Sequence, residues 1–401
     1  MAADGAVHGF ADVERAVRTA AEAHPDALRV VPLDVADLLD PGLAVRLAKL
    51  DVVVGNCGPA AVLLGWLRAR HGLRFRWIRE IRTTGWVGYA FQEWAARAWH
   101  HPGDRTVHTS PSSVALWRGA RGERGDVFHY PILPGRPPDR VLERPRRAAC
   151  VGRLAAEKGL GRLPEVVARL RAAGWPLEEV TLVGRIVEPG LVEEVRERLA
   201  HAGLHVEVTG PVSHAAVEEL LRATDVLLFP SRSSVEGSGR TVVEAVGAGA
   251  AVVGSDWVAC HDLLPPAFRI PVRPGPGGSG RDPFPWLDLD LDAWEPPALP
   301  VRCALSDAVE GFVADPSRTL ALLRGEPLPP CPEVPLRMHV AWEDFASTPD
   351  AACAALLERL RRERPPREAL VNLGGAVKQA ILALGFDPAV RLSASVDGQQ
   401  T

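Results

Sequence analysis

The segment from Asp225 to Asp256, DVLLFPSRSSVEGSGRTVVEAVGAGAAVVGSD, admits few folds. It opens on an apolar run, Val226 to Phe229, closed by Pro230 and Ser231, the pattern of a short buried strand. A loop of serines and glycines follows, then helix-periodic residues from Thr241 to Ala248 and a second apolar run, Ala251 to Val253. Strand, glycine loop, short helix and strand in that order predict a parallel α/β unit. The loop in front of such a helix gathers unpaired backbone N–H groups, which suit an anion.

Two carboxylates mark that loop, Glu236 beside Gly237 and Gly239, and Glu244 eight positions later. With a helix starting near Arg240, Glu244 lies about one turn in, so both acids can face whatever sits at the helix start. Phosphate suits the amides and carboxylates suit neutral hydroxyls as acceptors. A molecule with phosphates flanked by hydroxyls on both sides is a nucleotide sugar. Each acid also has a plain alternative: Glu244 as a complement to the helix dipole, Glu236 as a solvated loop acid.

The run PSRSSVEGSGRTVVEAVGAGAAVV resembles the donor-binding signature of the retaining glycosyltransferases of family 4. The resemblance implies a GT-B fold: α/β, two facing Rossmann-like domains with parallel sheets and an interdomain cleft. It implies that Glu236 contacts the transferred sugar and Glu244 the ribose of the nucleotide. Gly237, Ser238, Gly239, Arg240, Thr241 and Val242 would surround the sugar and phosphates. Arg240 departs from the family, whose members usually carry an apolar residue there, and this leaves the sugar open.

Composition narrows the class. A chain of 401 residues favours two domains over one core. A net charge of −4 speaks against a general nucleic-acid binder. No basic start with an apolar core marks a signal peptide, and no uncharged apolar run reaches a membrane span, so a cytoplasmic protein is expected. Cys57, Cys150, Cys260, Cys303, Cys331 and Cys353 are scattered without a CxxC pair, as reduced structural thiols are. No cluster has metal-ligand spacing, so neither a metal nor a cofactor is expected beyond the nucleotide sugar itself.

In the N-terminal half, helical spacing over Phe10 to Ala23 precedes a strand Leu28 to Pro32 and a helix from Asp40 to Leu50. Then come strand Asp51 to Val54, helix Ala60 to Arg70, strand Phe75 to Ile78, a Trp-rich helical region Tyr89 to Trp99 and strand Thr106 to Thr109. The alternation predicts a parallel sheet. The buried strand that should precede the first glycine loop is missing, since Gly5 and Gly9 begin almost at Met1; either the true start lies upstream or this half has a trimmed sheet. Family members commonly place a histidine after the third of these strands; this chain offers Glu80, with Arg79 and Arg82 beside it. Glu80 and Arg82 are site candidates, with salt-bridged rim residues as the alternative. Interleaved Arg and Trp between Arg74 and Trp99 fit cleft walls or aromatic core better than peripheral contact with a membrane.

Pro131 to Pro145, PILPGRPPDRVLERP, is too rich in proline for a helix or central strand. The division is therefore 1–135 for an acceptor-side domain, 136–146 for the linker, 147–365 for the donor domain and 366–401 for a crossover helix and disordered tail. After strand Ala148 to Val151 stand Arg153 and Lys158, two cations able to neutralise a departing diphosphate, as their counterparts in the family do. Gly184 closes the next strand as a second glycine turn. By resemblance, the backbone near Val212 cradles the base. Residues 265–300 read as an irregular surface insertion, and Asp288, Asp290 and Asp292 as a poor likeness of a Ca²⁺ loop.

These features imply transfer of a hexose-type sugar from a nucleotide diphosphate sugar to an acceptor hydroxyl with retention of configuration. The acceptor is a small molecule, glycan or lipid, in natural-product or cell-surface glycan biosynthesis of bacterial type. A nucleotide-sugar 2-epimerase, a glycosidase using Glu236 and Glu244, and a non-catalytic scaffold are the rival readings.

Overall fold

A computed structural model describes residues 9–33, 35–56, 59–82, 98–121, 125–233, 236–237, 239–277, 285–303, 311–334, 336–340, 349–363 and 392–396. The chain forms two compact units. One comprises Met1–Ala16, His129–Gly277 and Pro285–Asp315, and the other Val17–Phe128, Gly278–Phe284 and Pro316–Thr401.

The chain begins with α1 (Gly9–Ala23), which runs from the first of these units into the second. Val13, Ala16 and Ala20 form its buried stripe, at the 3–4 residue spacing of one helical face. A short helix α2 (Leu43–Leu47) follows, then β1 (Val52–Asn56), α3 (Pro59–His71), β2 (Arg76–Ile81), β3 (Arg105–His108), α4 (Pro111–Arg121) and β4 (Asp126–Val127). Strands β1-β2-β3-β4 form a sheet in that order, every pairing parallel. Helix α3 lies so close to the sheet that a Cβ on Gly65 would stand 2.5 Å from the Trp77 ring, which explains a glycine inside this helix. The strand expected over Leu28 to Pro32 is not formed: Val31 is exposed, and that short run has no parallel neighbour to pair with. The residues before α1, where the missing strand was expected, lie outside the described residues. The region Tyr89 to Trp99 lies almost wholly outside them.

From β5 (Val141–Leu142) the chain enters the six-stranded unit. It runs through β6 (Arg147–Val151), α5 (Leu163–Ala172), β7 (Glu179–Val183), α6 (Pro189–His201), β8 (His205–Thr209), α7 (His214–Ala223), β9 (Val226–Phe229), α8 (Arg240–Gly247), β10 (Ala251–Ser255), α9 (Ala259–Leu263) and β11 (Arg269–Ile270). The sheet order is β11-β10-β9-β6-β7-β8, all parallel. Renumbered from β6, this is the doubly wound Rossmann order, with the chain reversing direction between β6 and β9. Helices cover both faces, so central strands are apolar throughout: Val226, Leu227 and Leu228 are fully buried. The apolar side of α8, Val242, Val243, Ala245 and Val246, joins the same core. Two Rossmann-like parallel sheets in one α/β chain are the parts of which a GT-B protein is made.

The stretch 265–300 is not a surface insertion. It contains a hairpin of β12 (Val272–Gly277) and β13 (Pro285–Leu289), and Leu287, Leu289, Leu291 and Trp294 are buried. Alternation with aspartates hid a half-buried strand whose polar face is held by arginines. Arg232 pairs with Asp288, Arg273 with Asp290 and Arg169 with Asp292. Beyond β14 (Val301–Arg302) lie α10 (Pro316–Arg324), β15 (Leu336–Val340), α11 (Pro349–Glu363) and β16 (Leu392–Val396). Residues 392–396, expected within a disordered tail, pair antiparallel with β15. The crossover helix expected at the start of 366–401 lies outside the described residues.

Candidate functional site

In an open α/β sheet of this order, ligands sit outside the carboxyl ends of the strands flanking the reversal. Here those are β6 and β9, and the loops that leave them are joined. Arg232 N donates to Glu157 O at 2.9 Å. A Cβ on Gly159, whose φ is +74°, would fall 1.7 Å from the carbonyl oxygen of Pro230, so only glycine allows this approach. The β6 and β7 loops meet as closely, since a Cβ on Gly184 (φ +136°) would fall 1.8 Å from Gly152 O.

Across the joined loops, Lys158 Nζ forms an ion pair with Glu236 Oε2, their side chains 22% and 19% exposed. Ser231 Oγ donates to the same oxygen at 3.3 Å. Enclosed yet reachable, this pair differs from a free surface salt bridge. Arg153, half exposed, pairs with Glu157 at 2.8 Å one turn along the same loop.

Gly239 precedes α8 with φ +54° and ψ +36°, and no side chain among the described residues caps the helix. As in any α-helix, the N–H groups of its first turn have no intrahelical acceptor. A Cβ on Gly239 would stand 2.6 Å from that of Ala259, so the turn is pressed against the start of α9. Thr241 is half-buried and Val242 fully buried, leaving backbone rather than side chain to meet a ligand. Glu244 Oε1 accepts from Arg240 Nε at 2.7 Å. Burial pushes the Glu244 carboxyl above the usual carboxylate range; Asp12 acts in the same direction, against the pull of Arg240 and His214.

The predicted residues are thus gathered in two small groups, Lys158 with Glu236 and Arg240 with Glu244. Gly237 is buried between them in sequence. Ser238 lies outside the described residues. Val212, at 36% exposure, follows β8 on the same sheet edge. Glu80 belongs to the four-stranded unit, where it is 1% exposed and bound by Arg82 Nε at 2.8 Å. Cys150 and Cys260 lie under the site; burial pushes both thiols up, Cys150 to about 12, so neither is a nucleophile.

Two residues escaped sequence reading. Asp12 of α1 is fully buried beside Arg240, and its sign was an acid on the apolar stripe of Val13 and Ala16. Val258, with φ +41°, holds a backbone conformation that β-branched residues avoid, at the carboxyl end of β10. No residue pattern announces that strain.

The reversed sheet with a charged carboxyl edge defines a doubly wound, Rossmann-like α/β unit. Residues 145–267 of the chain match the family model of Glycosyl transferases group 1. The phosphatidyl-myo-inositol mannosyltransferase of Mycolicibacterium smegmatis is 36% identical over 105 residues, 26% of this chain and 25% of the relative. The lipopolysaccharide core biosynthesis mannosyltransferase LpsB of Rhizobium meliloti is 26% identical over 223 residues, 51% of this chain and 58% of the relative. The chain thus spans less than two thirds of either. Among solved structures, Anabaena Alr3699/HepE in complex with UDP is similar at a TM-score of 0.43 and 18% identity, covering 57% of this chain and 64% of that one. No helix among the described residues is long and apolar enough to cross a membrane.

Proposed function

We propose that the protein is a retaining glycosyltransferase of the GT-B class and of family 4, using a nucleotide diphosphate sugar. The observation that carries this reading is the Lys158–Glu236 pair across the switch point of the six-stranded sheet, beside the uncapped start of α8. Diphosphate lies against the first-turn amides of α8, with Lys158 and Arg153 balancing its charge. Glu236 meets the sugar hydroxyls, and Glu244 accepts from the ribose. The acceptor hydroxyl attacks the anomeric carbon on the face from which the diphosphate departs. The carbon–phosphate oxygen bond breaks, and the acceptor proton passes to a phosphate oxygen. Positive charge and amides fixed in place before the reaction supply the main stabilisation of the leaving group.

Both curated relatives are named mannosyltransferases, so a mannosyl donor is the first to try, with glycan and lipid acceptors. Cys150, Cys260, Cys303 and Cys353 are free thiols, in keeping with a cytoplasmic enzyme. The reading is tested by calorimetric binding of UDP, GDP, ADP and dTDP, alone and as sugar conjugates, to the wild type and to Glu244→Ala. Selective binding of one nucleotide, weakened about tenfold in the variant, supports it. Absence of binding to all of them refutes it.

A further inference from the structure

Glu244 and Arg240 on α8 have a third partner. Asp12, near the start of α1 and within the same compact unit, has a side chain that is 0% exposed. Its Oδ1 accepts from Arg15 Nη2 at 2.7 Å, and its Oδ2 lies 3.3 Å from Arg240 Nη1. One guanidinium therefore stands between carboxylates from two helices. It is attached to them unequally. Nε makes the aligned hydrogen bond to Glu244, whereas Nη1 and Nη2 are enclosed without a hydrogen-bond partner among the described residues. The Asp12 end is held by attraction of charge, which is strong where water is excluded.

We infer that Asp12 is a positioning residue of the donor site: through Arg240 it fixes the Glu244 carboxylate in the orientation that accepts the hydroxyls of a nucleotide's ribose. The inference rests on the assignment of Glu244 made under Proposed function. A glutamate on an exposed helix face samples several rotamers, and ordering them on binding weakens affinity. Here one carboxylate oxygen is already occupied by Arg240 Nε, which holds the group still and leaves the acceptor capacity of the other for a ligand. Removal of the charge on Asp12 leaves Arg240 attached to Glu244 alone, so the two side chains move as one.

The test compares binding of a ribonucleoside diphosphate with that of its 2′,3′-dideoxy form, using UDP, GDP or ADP, whichever the full chain binds most tightly. A hydrogen bond to a carboxylate leads to an expected wild-type preference for the ribo form of about tenfold. In Asp12→Asn that preference should shrink to about threefold or less, through weaker binding of the ribo form, with dideoxy affinity held within about twofold. Equal weakening of both forms would mean that Asp12 only supports the fold, and would overturn the inference. Should Asp12→Asn fail to fold, Arg240→Gln at the partly exposed end of the relay decides by the same ratio. If both variants keep the preference while Glu244→Ala loses it, the relay is refuted and the assignment of Glu244 stands. A wild type that binds no nucleotide, or binds both forms equally, refutes that assignment and the inference with it.

Discussion

The two parallel sheets use charge in opposite ways. In the four-stranded unit, Arg68, Arg79, Glu80 and Asp104 are sealed in. Arg68 and Asp104 form a bidentate pair at 2.7 and 2.6 Å, and each side chain is 1% exposed. Asp104 also accepts the amides of Trp77 and His101, both at 2.8 Å. In the six-stranded unit, Lys158 and Glu236 at the carboxyl edge stay within reach of solvent, on loops locked together by glycine contacts. A sealed pair fixes a fold, whereas a reachable pair on a fixed loop can exchange its partner for a ligand. Exposure, more than residue type, separates the two roles.

The sharpest way to break this contrast is at Asp104. Asp104→Ala leaves Arg68 buried without its counter-charge, and is expected to cost about 3–5 kcal/mol in denaturant unfolding. Burial alone would raise the Asp104 carboxyl, but Arg68 and two amides outweigh it and hold it below its ordinary value. Its stabilising effect is therefore complete above the unfolded carboxylate range, near about 4, and lost as pH falls through the lower folded value. An acid titration of stability in which Asp104→Ala lacks this drop would confirm the sign.

Next comes Gly184→Ala, which sets a methyl group against Gly152 O at a φ that only glycine accepts easily. About 3 kcal/mol of destabilisation is expected in the same unfolding experiment, and an unchanged midpoint would disprove the locked loops. The smallest effect on stability belongs to Lys158→Ala. It should alter unfolding by under about 1 kcal/mol yet lower sugar transfer by roughly 10²-fold. A large loss of stability instead would move Lys158 into the sealed class and erase the contrast.

Much of the six-stranded unit was legible because its strands are short apolar runs closed by glycine or proline, as Val226 to Pro230 and Glu179 to Gly184 show. Strand β13 was not, because its leucines alternate with aspartates whose arginine partners lie far away in sequence. Glu236 and Lys158 could be picked out separately, but not their pairing across 78 positions. Asp12 carried only the faint sign of an acid on an apolar stripe, and its burial becomes sensible only once Arg240 is beside it. Glu80 shows the converse, a promising residue in sequence that the fold encloses against Arg82.

The hairpin of β12 and β13 has a consequence for modularity. Leu287 N donates to Arg232 O at 2.8 Å, and Arg232 Nε returns a bond to Leu287 O at 2.9 Å. The loop that presents Glu236 is thus stitched at its root to a segment some fifty residues downstream in the chain. Transplanted to another scaffold by its own sequence alone, that loop would arrive without its splint. A portable version must carry the hairpin too, so the inheritable piece is larger than the signature by which it is recognised.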